Sequence, residues 1–286
     1  MPDRLRPLWD FGDLDASEQR LTEQLAREAD DPGRAEVLTQ LARVEGLRGD
    51  FAAAERLLAE AESLAGTNPL ARLRIDLERG RALRSSGREP EALPLFEVAF
   101  AAALEVGEDF IAADAAHMAA LVDPRGIAPW TERGIELGHR SEEAAYWLGP
   151  LLNNLGWAHF EAGEHELALA VFEQALETRE RDPENREAIE IARYAVAKTL
   201  RALGRPAEGL PLLEPGAAWA RSEGKPDGWF HEELAETYAA LGRGDDAREQ
   251  ARLALPLLEA DDPSFDGERA ERLRSLAVRS RSHNEV

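Results

Sequence analysis

Apolar residues recur along the chain at the spacing of one helix face, with charged residues between them. In the segment NNLGWAHFEAGEHELALAVFEQAL (153–176), Leu169, Phe172 and Leu176 keep this spacing, which is typical of an amphipathic α-helix. Ala, Leu, Glu and Arg dominate the chain, and these residues favour helices over strands. The pattern predicts six helix pairs, at 33–48 with 51–65, 70–86 with 89–106, 108–121 with 126–138, 141–162 with 165–181, 184–203 with 206–223 and 227–241 with 244–259.

Further helices are predicted at both ends of this array, at 14–29 and 267–280. Such terminal helices cap the exposed ends of a stack of repeats. Residues 1–12 and 281–286 are predicted to be loose, with Leu8, Trp9 and Phe11 able to pack on the first helices.

An internal repeat underlies the helix pairs. Five glycines align, and small residues stand seven positions before, five after and twelve after each of them. The glycines are Gly49, Gly87, Gly163, Gly204 and Gly242, and the small residues are Ala42, Gly80, Gly156, Ala197, Ala235, then Ala54, Ala92, Ala168, Gly209, Ala247, then Ala61, Ala99, Ala175, Gly216, Ala254. One degenerate copy lies between the second and third glycines, with Ala116, Asp123, Ala128 and Ile135 at the same places.

The spacing of these positions has a physical reason. The glycine supplies the backbone freedom that ends the first helix of a pair, and small residues allow the two helices to approach closely. Repeats of about 40 residues are typical of helical solenoids, in which neighbouring units bury what one unit cannot.

At these residues the chain resembles the tetratricopeptide repeat family. In the fourth unit, Leu155-Gly156, Ala168 and Phe172 match the family pattern, while His159 and Leu152 take the places of its tyrosine and tryptophan and Pro183 comes late. The sixth unit keeps Tyr238, Ala247 and Ala254, and the second keeps Gly80, Ala92, Phe96 and Ala99. The resemblance covers roughly Ala35–Leu258, and the units exceed the family's 34 residues, as in longer-repeat members used in bacterial regulators and scaffolds.

This resemblance implies an all-α fold, a right-handed α-solenoid of about six helix pairs with capping helices at both ends. The expected organisation is an N-terminal segment with a capping helix at 1–32, the six units at 33–259, and a C-terminal capping helix with a tail at 260–286.

Composition narrows the classes of function. The 286-residue chain carries a net charge of −22, which repels phosphate backbones, so binding to nucleic acids or anionic membranes is not expected. It contains no Cys, which removes disulfides, thiolate metal ligands and cysteine nucleophiles. The N-terminal stretch has no apolar core of a signal peptide and no long uncharged run follows, so a soluble cytoplasmic protein is expected.

The candidate motifs for chemistry are weak. His159 and His165 flank the turn at Gly163 and do not share a helix face, which disfavours a metal site. HEELAE at 231–236 has Ala235 where a zinc protease needs its second histidine, and GRGD at 242–245 is the turn of the sixth unit. No phosphate-binding loop or nucleophile elbow occurs. We therefore expect neither an enzyme nor a cofactor.

The resemblance also implies where a partner would bind. In the family the first helix of each pair lines a groove, and the residues that this implies are Arg81, Arg84, His117, Asn153, Asn154, Trp157, Tyr194, Lys198, Arg201, Glu232 and Glu236. The cations predict an acidic or carboxylate-bearing ligand, with any basic part near Glu232 and Glu236. The alternative is that the arginines pair with Glu78, Asp114 or other acidic neighbours and bind nothing. The family's carboxylate clamp is not reproduced in its usual order.

Two functions from different classes remain open at this point. The leading hypothesis is a scaffold or adaptor whose groove holds a protein or peptide segment. The alternative is a ligand- or peptide-responsive regulator whose superhelical shape changes on binding and controls a partner.

The lack of metal ligands generates a first prediction. Because the chain has no Cys and no histidine pair at ligand spacing, a chelator should leave its Tm unchanged in thermal unfolding followed by circular dichroism. A loss of several degrees on adding EDTA would show that a metal contributes to the folded state.

Overall fold

The computed structural model describes residues 3–123 and 125–278, and in that part of the chain every regular element is helical. Short 3-10 helices lie at Arg6–Leu8 and Ala144–Trp147. The α-helices are α1 (Leu14–Arg27), α2 (Asp31–Arg48), α3 (Phe51–Ala65), α4 (Pro69–Ser85), α5 (Glu89–Val106), α6 (Asp109–Ala120), α7 (Ala128–Arg140), α8 (Leu148–Glu161), α9 (His165–Glu180), α10 (Arg186–Ala202), α11 (Pro206–Ser222), α12 (Gly228–Ala240), α13 (Gly244–Asp261) and α14 (Gly267–Ala277).

These helices confirm the predicted all-α fold of paired helices. Helices α2 to α13 form the six pairs, α1 precedes them and α14 follows them. The fourth pair differs from the prediction, because the 3-10 helix at Ala144–Trp147 precedes α8. Pro150 lies in the first turn of α8, where its missing N–H leaves no helical hydrogen bond unmade.

The turns within the pairs follow the predicted chemistry. Gly49, Gly87, Gly163, Gly204 and Gly242 all have positive φ angles, between 74° and 83°. A side chain in this left-handed conformation would be strained, so glycine is required there. The turn of the third pair is stabilised differently. The side chain of Asp123 accepts hydrogen bonds from the backbone N–H and the guanidinium of Arg125 and from Nε1 of Trp130.

The small residues lie where two paired helices meet. A Cβ added at Gly80 would come within 2.5 Å of the Phe96 ring, and one at Gly156 would come equally close to Phe172. Both rings are fully buried. Any larger residue at either glycine would push the helix axes apart.

The chain divides between Asn154 and Leu155 into two compact units, called unit 1 and unit 2. In unit 1, α1 packs on α2 through the fully buried Leu21. In unit 2, α14 packs on α13 through Leu273 and Ala270, next to Leu258. The terminal helices thus cover apolar faces of their neighbours.

Residues 3–12 were predicted to be loose, but they pack on the helices of unit 1, and the packing that the sequence allowed for Leu8 and Trp9 is confirmed. Leu5 is only 1% exposed, and Leu8 and Trp9 pack against the same core. The predicted loose tail at 281–286 lies outside the described residues. Across residues 3–123 and 125–278, no helix combines the length and the apolar character that a bilayer span requires.

Overpacking the contact of the fourth pair generates a second prediction. Ala168 is fully buried beside Leu169 and Phe172, so Ala168→Leu should lower the free energy of unfolding by ~1–3 kcal/mol. Urea unfolding measures the change, with Ala170→Leu on the exposed face of α9 as the control. Equal denaturation midpoints for the two variants would contradict the assigned helix interface.

Candidate functional site

The first helices of three pairs, α2, α4 and α6, share a surface that we call the inner face of unit 1. Residues 77, 81 and 84 of α4 follow each other at helical spacing on this surface. Gly80 turns toward Phe96 of α5, so the neighbouring Arg81 is directed away from the paired helix. Asn68 caps the start of α4 by accepting a hydrogen bond from the N–H of Ala71, which sets where the helix begins.

Arg81 is held by carboxylates of the protein. Its Nη2 donates to Oδ1 of Asp114 on α6, and its Nε lies 3.2 Å from Oε2 of Glu78. Arg43 of α2 reaches the same Glu78 at 3.9 Å. These groups are largely buried, so a buried cation here requires its partners. Arg81 therefore joins α4 to α6.

Arg84 differs from Arg81 in having no carboxylate partner among the described residues. It lines a cavity of about 210 Å³ together with Leu47, His117, Met118 and Leu121. The side chain is half-buried, so its charge is only partly hydrated. Arg43, Arg81 and Glu78 also line this cavity, so it combines three cations and one carboxylate with apolar walls on the inner face of unit 1.

His117 is the neutral member of this cavity. Its ring packs on Trp147, with 5.3 Å between ring centroids, and its Nδ1 is buried without a hydrogen-bond partner. Burial, together with the cations Arg81, Arg84 and Arg43, lowers the pKa of His117 to about 4, although Asp114 acts in the opposite direction.

The asparagines Asn153 and Asn154 lie near the end of unit 1 on α8, and both are half-buried. Nδ2 of Asn154 is buried without a hydrogen-bond partner. Neither residue lines the cavity that contains Arg84.

In unit 2, Trp157, Tyr194 and Lys198 form a cluster of aromatic rings around an ammonium group. Nζ of Lys198 donates to the Tyr194 hydroxyl at 3.1 Å and lies 5.5 Å and 5.8 Å from the centroids of the Tyr194 and Trp157 rings. Within the described residues, no carboxylate forms a salt bridge with Lys198. Burial lowers the pKa of Lys198, against the opposing charges of Glu233 and Glu232.

The remaining predicted residues of unit 2 are paired within the protein. Arg201 binds Glu233 through two hydrogen bonds. Glu232 accepts two hydrogen bonds of 2.7 Å from Arg269 of α14, and Glu236 accepts one of 2.5 Å from Arg272. The trailing helix α14 thus neutralises the two carboxylates at which a basic part of a ligand is predicted to bind.

Of two further arrangements, the sequence analysis predicted one only in part and the other not at all. The N-terminal segment lies on the inner face of unit 1, where Asp3 binds Arg74. The sequence analysis allowed Leu8, Trp9 and Phe11 to pack on the first helices, but it did not predict this ion pair, because charged residues are frequent along the whole chain. The arginines of α14 give no signal of their contacts, because arginines are spread along the whole chain.

The histidines of the fourth pair have local partners. Nδ1 of His159 lies 2.6 Å from Oε2 of Glu164 across the turn, and the ring of His165 packs on Phe160 with 4.9 Å between centroids. Among the described residues, no group of three or more His, Asp or Glu side chains is arranged to hold a metal ion.

Comparisons with known proteins agree with this architecture. A tetratricopeptide repeat model matches residues 151–181, and another matches residues 35–60 and 228–252. A tetratricopeptide repeat protein from Parabacteroides merdae has a similar structure, with a TM-score of 0.50 at 17% identity, over 96% of this chain and 95% of its own. No curated protein matches the chain.

Two further solved structures are similar at lower TM-scores. BtubC (BKLC) from P. vanneervenii has a TM-score of 0.43 at 19% identity, over 93% of this chain and 96% of its own. A putative kinesin light chain from Podosopora anserina with TPR-like repeats has a TM-score of 0.37 at 20% identity, over 82% of this chain and 99% of its own.

The environment of His117 generates a third prediction. Its folded-state pKa of about 4 lies below the ordinary 6.5, so the unfolded chain binds more protons between these values. The stabilisation is therefore complete above pH 6.5 and decreases as the pH falls toward 4. Between pH 7 and pH 5.5, the wild type should lose ~1 kcal/mol more unfolding free energy than His117→Gln.

Urea unfolding at several pH values measures this difference. His139→Gln, at an exposed position on α7, is the matched control substitution. Parallel pH profiles for His117→Gln and the wild type would contradict the neutral state of His117.

Proposed function

We propose that this chain, which belongs to the tetratricopeptide repeat family, is a non-catalytic scaffold or adaptor that binds carboxylate-bearing segments of partner proteins. Chains of this family generally act as scaffolds for protein–protein contacts. The observation that carries the finer proposal is Arg84, a half-buried cation with no carboxylate partner among the described residues, at the edge of a cavity.

The surroundings of Arg84 favour a carboxylate as its partner. A guanidinium group presents paired donors that match the two oxygens of an Asp, Glu or C-terminal carboxylate. Met118 and Leu121 limit the access of water, which strengthens a charge-assisted hydrogen bond relative to an exposed one. The neutral His117 adds a polar group. The cations Arg43 and Arg81 offset Glu78, the carboxylate that lines the cavity.

The size of the cavity favours a side chain over a whole small molecule. Its volume is about 210 Å³, below the ~300–1,000 Å³ of typical small-molecule sites. Leu47 and Met118 offer apolar contacts to residues that flank the carboxylate. An extended segment that places one carboxylate on Arg84 and an apolar neighbour on these walls fits the cavity.

Lys198 provides a second cation of the same kind in unit 2. It lies between the rings of Trp157 and Tyr194, and Trp157 also packs on Phe172 of α9 at 5.0 Å between centroids. The rings are thereby fixed in place, and rigid aromatic side chains are frequent anchors of binding surfaces. A carboxylate that approaches Lys198 would meet a preorganised site.

Ion pairs within the protein reduce the number of predicted groove residues that we assign to ligand binding. Arg81 and Arg201 already bind Asp114 and Glu233, and a ligand would have to compete with these buried partners. Glu232 and Glu236 are likewise paired with arginines of α14. Arg84 and Lys198 are thus the cations that we assign to ligand binding, each within its own unit.

A peptide-binding experiment tests this proposal as the fourth prediction. Labelled acidic and basic peptides of equal length are titrated against the wild type, Arg84→Gln and Lys198→Glu, with anisotropy as the readout. We expect the wild type to prefer acidic peptides and at least one substitution to raise their Kd about tenfold, since a hydrogen bond to a charged group contributes ~1.5–3 kcal/mol.

Matched control variants separate a local contact from a change of net charge. Arg56→Gln removes an exposed charge from α3, and Lys225→Glu reverses the other lysine of the chain. Both controls should keep the Kd of the wild type. The net charge of −22 repels acidic peptides, so the salt dependence is compared between each variant and its control.

Preference for basic peptides, or equal losses in the variants and their controls, would contradict the proposal. Small-angle scattering with and without a bound peptide tests the alternative function. Compaction on binding would favour a regulator that responds through its shape, whereas an unchanged profile would favour the scaffold.

A further inference from the structure

The N-terminal segment, residues 3–12, occupies much of the inner face of unit 1. The carboxylate of Asp3 accepts hydrogen bonds of 2.7 Å and 3.0 Å from the guanidinium of Arg74 on α4. Nε1 of Trp9 donates to Oε1 of Gln40 on α2 at 3.0 Å. The segment thus binds two first helices through a carboxylate and an aromatic side chain.

Arginines and aromatic rings alternate along the rest of this contact. Arg6 donates to the Tyr146 hydroxyl at 2.9 Å, and its guanidinium lies 4.7 Å from the centroid of that ring. Trp9 and Phe11 stack with 4.9 Å between centroids, and Arg43 of α2 lies 5.3 Å from both rings. Such cation–π contacts are favourable, and are stronger where water is partly excluded.

The segment is attached to this face by side chains. Within the described residues, its backbone makes no hydrogen bond to this face. Bonds such as Leu8 N–H to Leu5 C=O are local turns, and others join the backbone of Asp10 and Leu8 to the side chains of Ser17 and Arg20 on α1. Only Leu5 is fully buried, while Phe11 remains 47% exposed. A segment held by a few side chains can leave without unfolding the helices beneath it.

A small cavity remains between the segment and the face. It measures about 60 Å³ and is lined by Asp3, Arg6 and Trp9 on one side and by Glu78 and Asp114 on the other. Arg43 and Glu78 line both this cavity and the one that contains Arg84. A partner segment bound at Arg84 would therefore meet the N-terminal segment at Arg43.

We propose that residues 3–12 are a built-in competitor for the inner face of unit 1, which a partner segment with a carboxylate and aromatic side chains displaces. This inference rests on the proposed function, and it specifies which chemical groups the partner segment would carry. The partner would place a carboxylate on Arg74 and aromatic rings beside Arg43 and Gln40, as Asp3 and Trp9 do within the chain.

Because the competitor is tethered to its binding site, only a partner that binds tightly would displace it. A segment joined to its binding site by a short connection has an effective concentration on the order of millimolar. A free segment with the same contacts competes poorly, and a partner that also uses Arg84 gains contacts that residues 3–12 do not make.

A fluorescein-labelled peptide of residues 3–13, DRLRPLWDFGD, tests the inference as the fifth prediction. It is titrated against the full chain and against a release variant that combines Asp3→Ala with Trp9→Ala. The release variant should bind the peptide at least about tenfold more tightly than the wild type, because its own segment no longer competes. Asp10→Ala should behave like the wild type, because the Asp10 side chain contacts Arg20 of α1 and the N–H of Gly12 and not the inner face of unit 1.

A second substitution shows where the peptide binds. Arg74→Gln, added to the release variant, should raise the Kd of the peptide about tenfold, because Arg74 is the partner of Asp3. Circular dichroism and Tm show whether each variant is folded. Should the release variant not fold, a protease site inserted after the exposed Gly12 frees the segment in the otherwise unchanged protein, and cleavage should then increase peptide binding.

Equal peptide affinity for the wild type, the release variant and the cleaved protein would overturn the inference, as would the lack of any binding. Sedimentation velocity measures the oligomeric state of the wild type and of the release variant. A wild-type dimer that the release substitutions dissociate would also overturn the inference, because residues 3–12 would then bind a second copy of the chain.

The titration of foreign acidic peptides distinguishes this inference from the proposed function. Peptides that bind the wild type and the release variant equally, and lose affinity with Arg84→Gln, would uphold the proposed function and overturn the competition. Tighter binding of the 3–13 peptide to the release variant, without binding of foreign acidic peptides, would uphold the competition and overturn the proposed function.

Discussion

The close approach of two paired helices is the contact on which the rest of this structure depends. In the second and fourth pairs a glycine on the first helix faces an aromatic ring on the second, as Gly80 faces Phe96 and Gly156 faces Phe172. The rings are fully buried and have no room for an added Cβ. Interiors at this packing density tolerate little change of volume, so the small residues determine the distance between the helices of each pair. The face of the first helix that carries the small residues packs against the second helix. The side chains on the other faces of the first helix are therefore available for other contacts.

The side chains that turn away are polar and frequently charged. Because they are partly buried, their charges require partners, and the protein supplies many of them: Arg81 binds Asp114, Arg201 binds Glu233, and Arg74 binds Asp3. These pairs join neighbouring elements within each unit. Arg84 and Lys198 differ in having no carboxylate partner among the described residues, and they carry the proposed function. The same surface thus contributes to packing and, in the proposed function, to ligand binding, and the number of cations available to a ligand depends on how many are already paired within the protein.

The candidate site could be predicted from the sequence only in part. Helical spacing and the resemblance to the repeat family indicated which residues lie on first helices, and Arg84, His117 and Lys198 were among them. Neither could indicate that Arg269 and Arg272 of α14 bind Glu232 and Glu236, because the chain contains many arginines and their spacing is the same on every exposed helix face. For a related reason, the position of residues 3–12 was predicted only in that Leu8, Trp9 and Phe11 could pack on the first helices. The segment has no periodicity of its own, and its contacts join residues that are far apart in the sequence, as with Asp3 and Arg74.

By itself the sequence determined the helices, their pairing and their turns, because these depend on interactions within about forty residues. Turn glycines such as Gly49 and Gly163 have the positive φ angles that their repeat position predicts, and Ala168 and Ala247 are buried at the predicted contacts. The degenerate third pair shows the limit of this reasoning, because its turn uses Asp123 and its Gly134 lies close to Leu151 on the first helix of the next pair. Only the tertiary structure decided which charges are paired, which cavity remains open beside Arg84 and which segment covers the inner face of unit 1. Those outcomes depend on the distances between side chains of different elements, and hydrophobic periodicity carries no information about them.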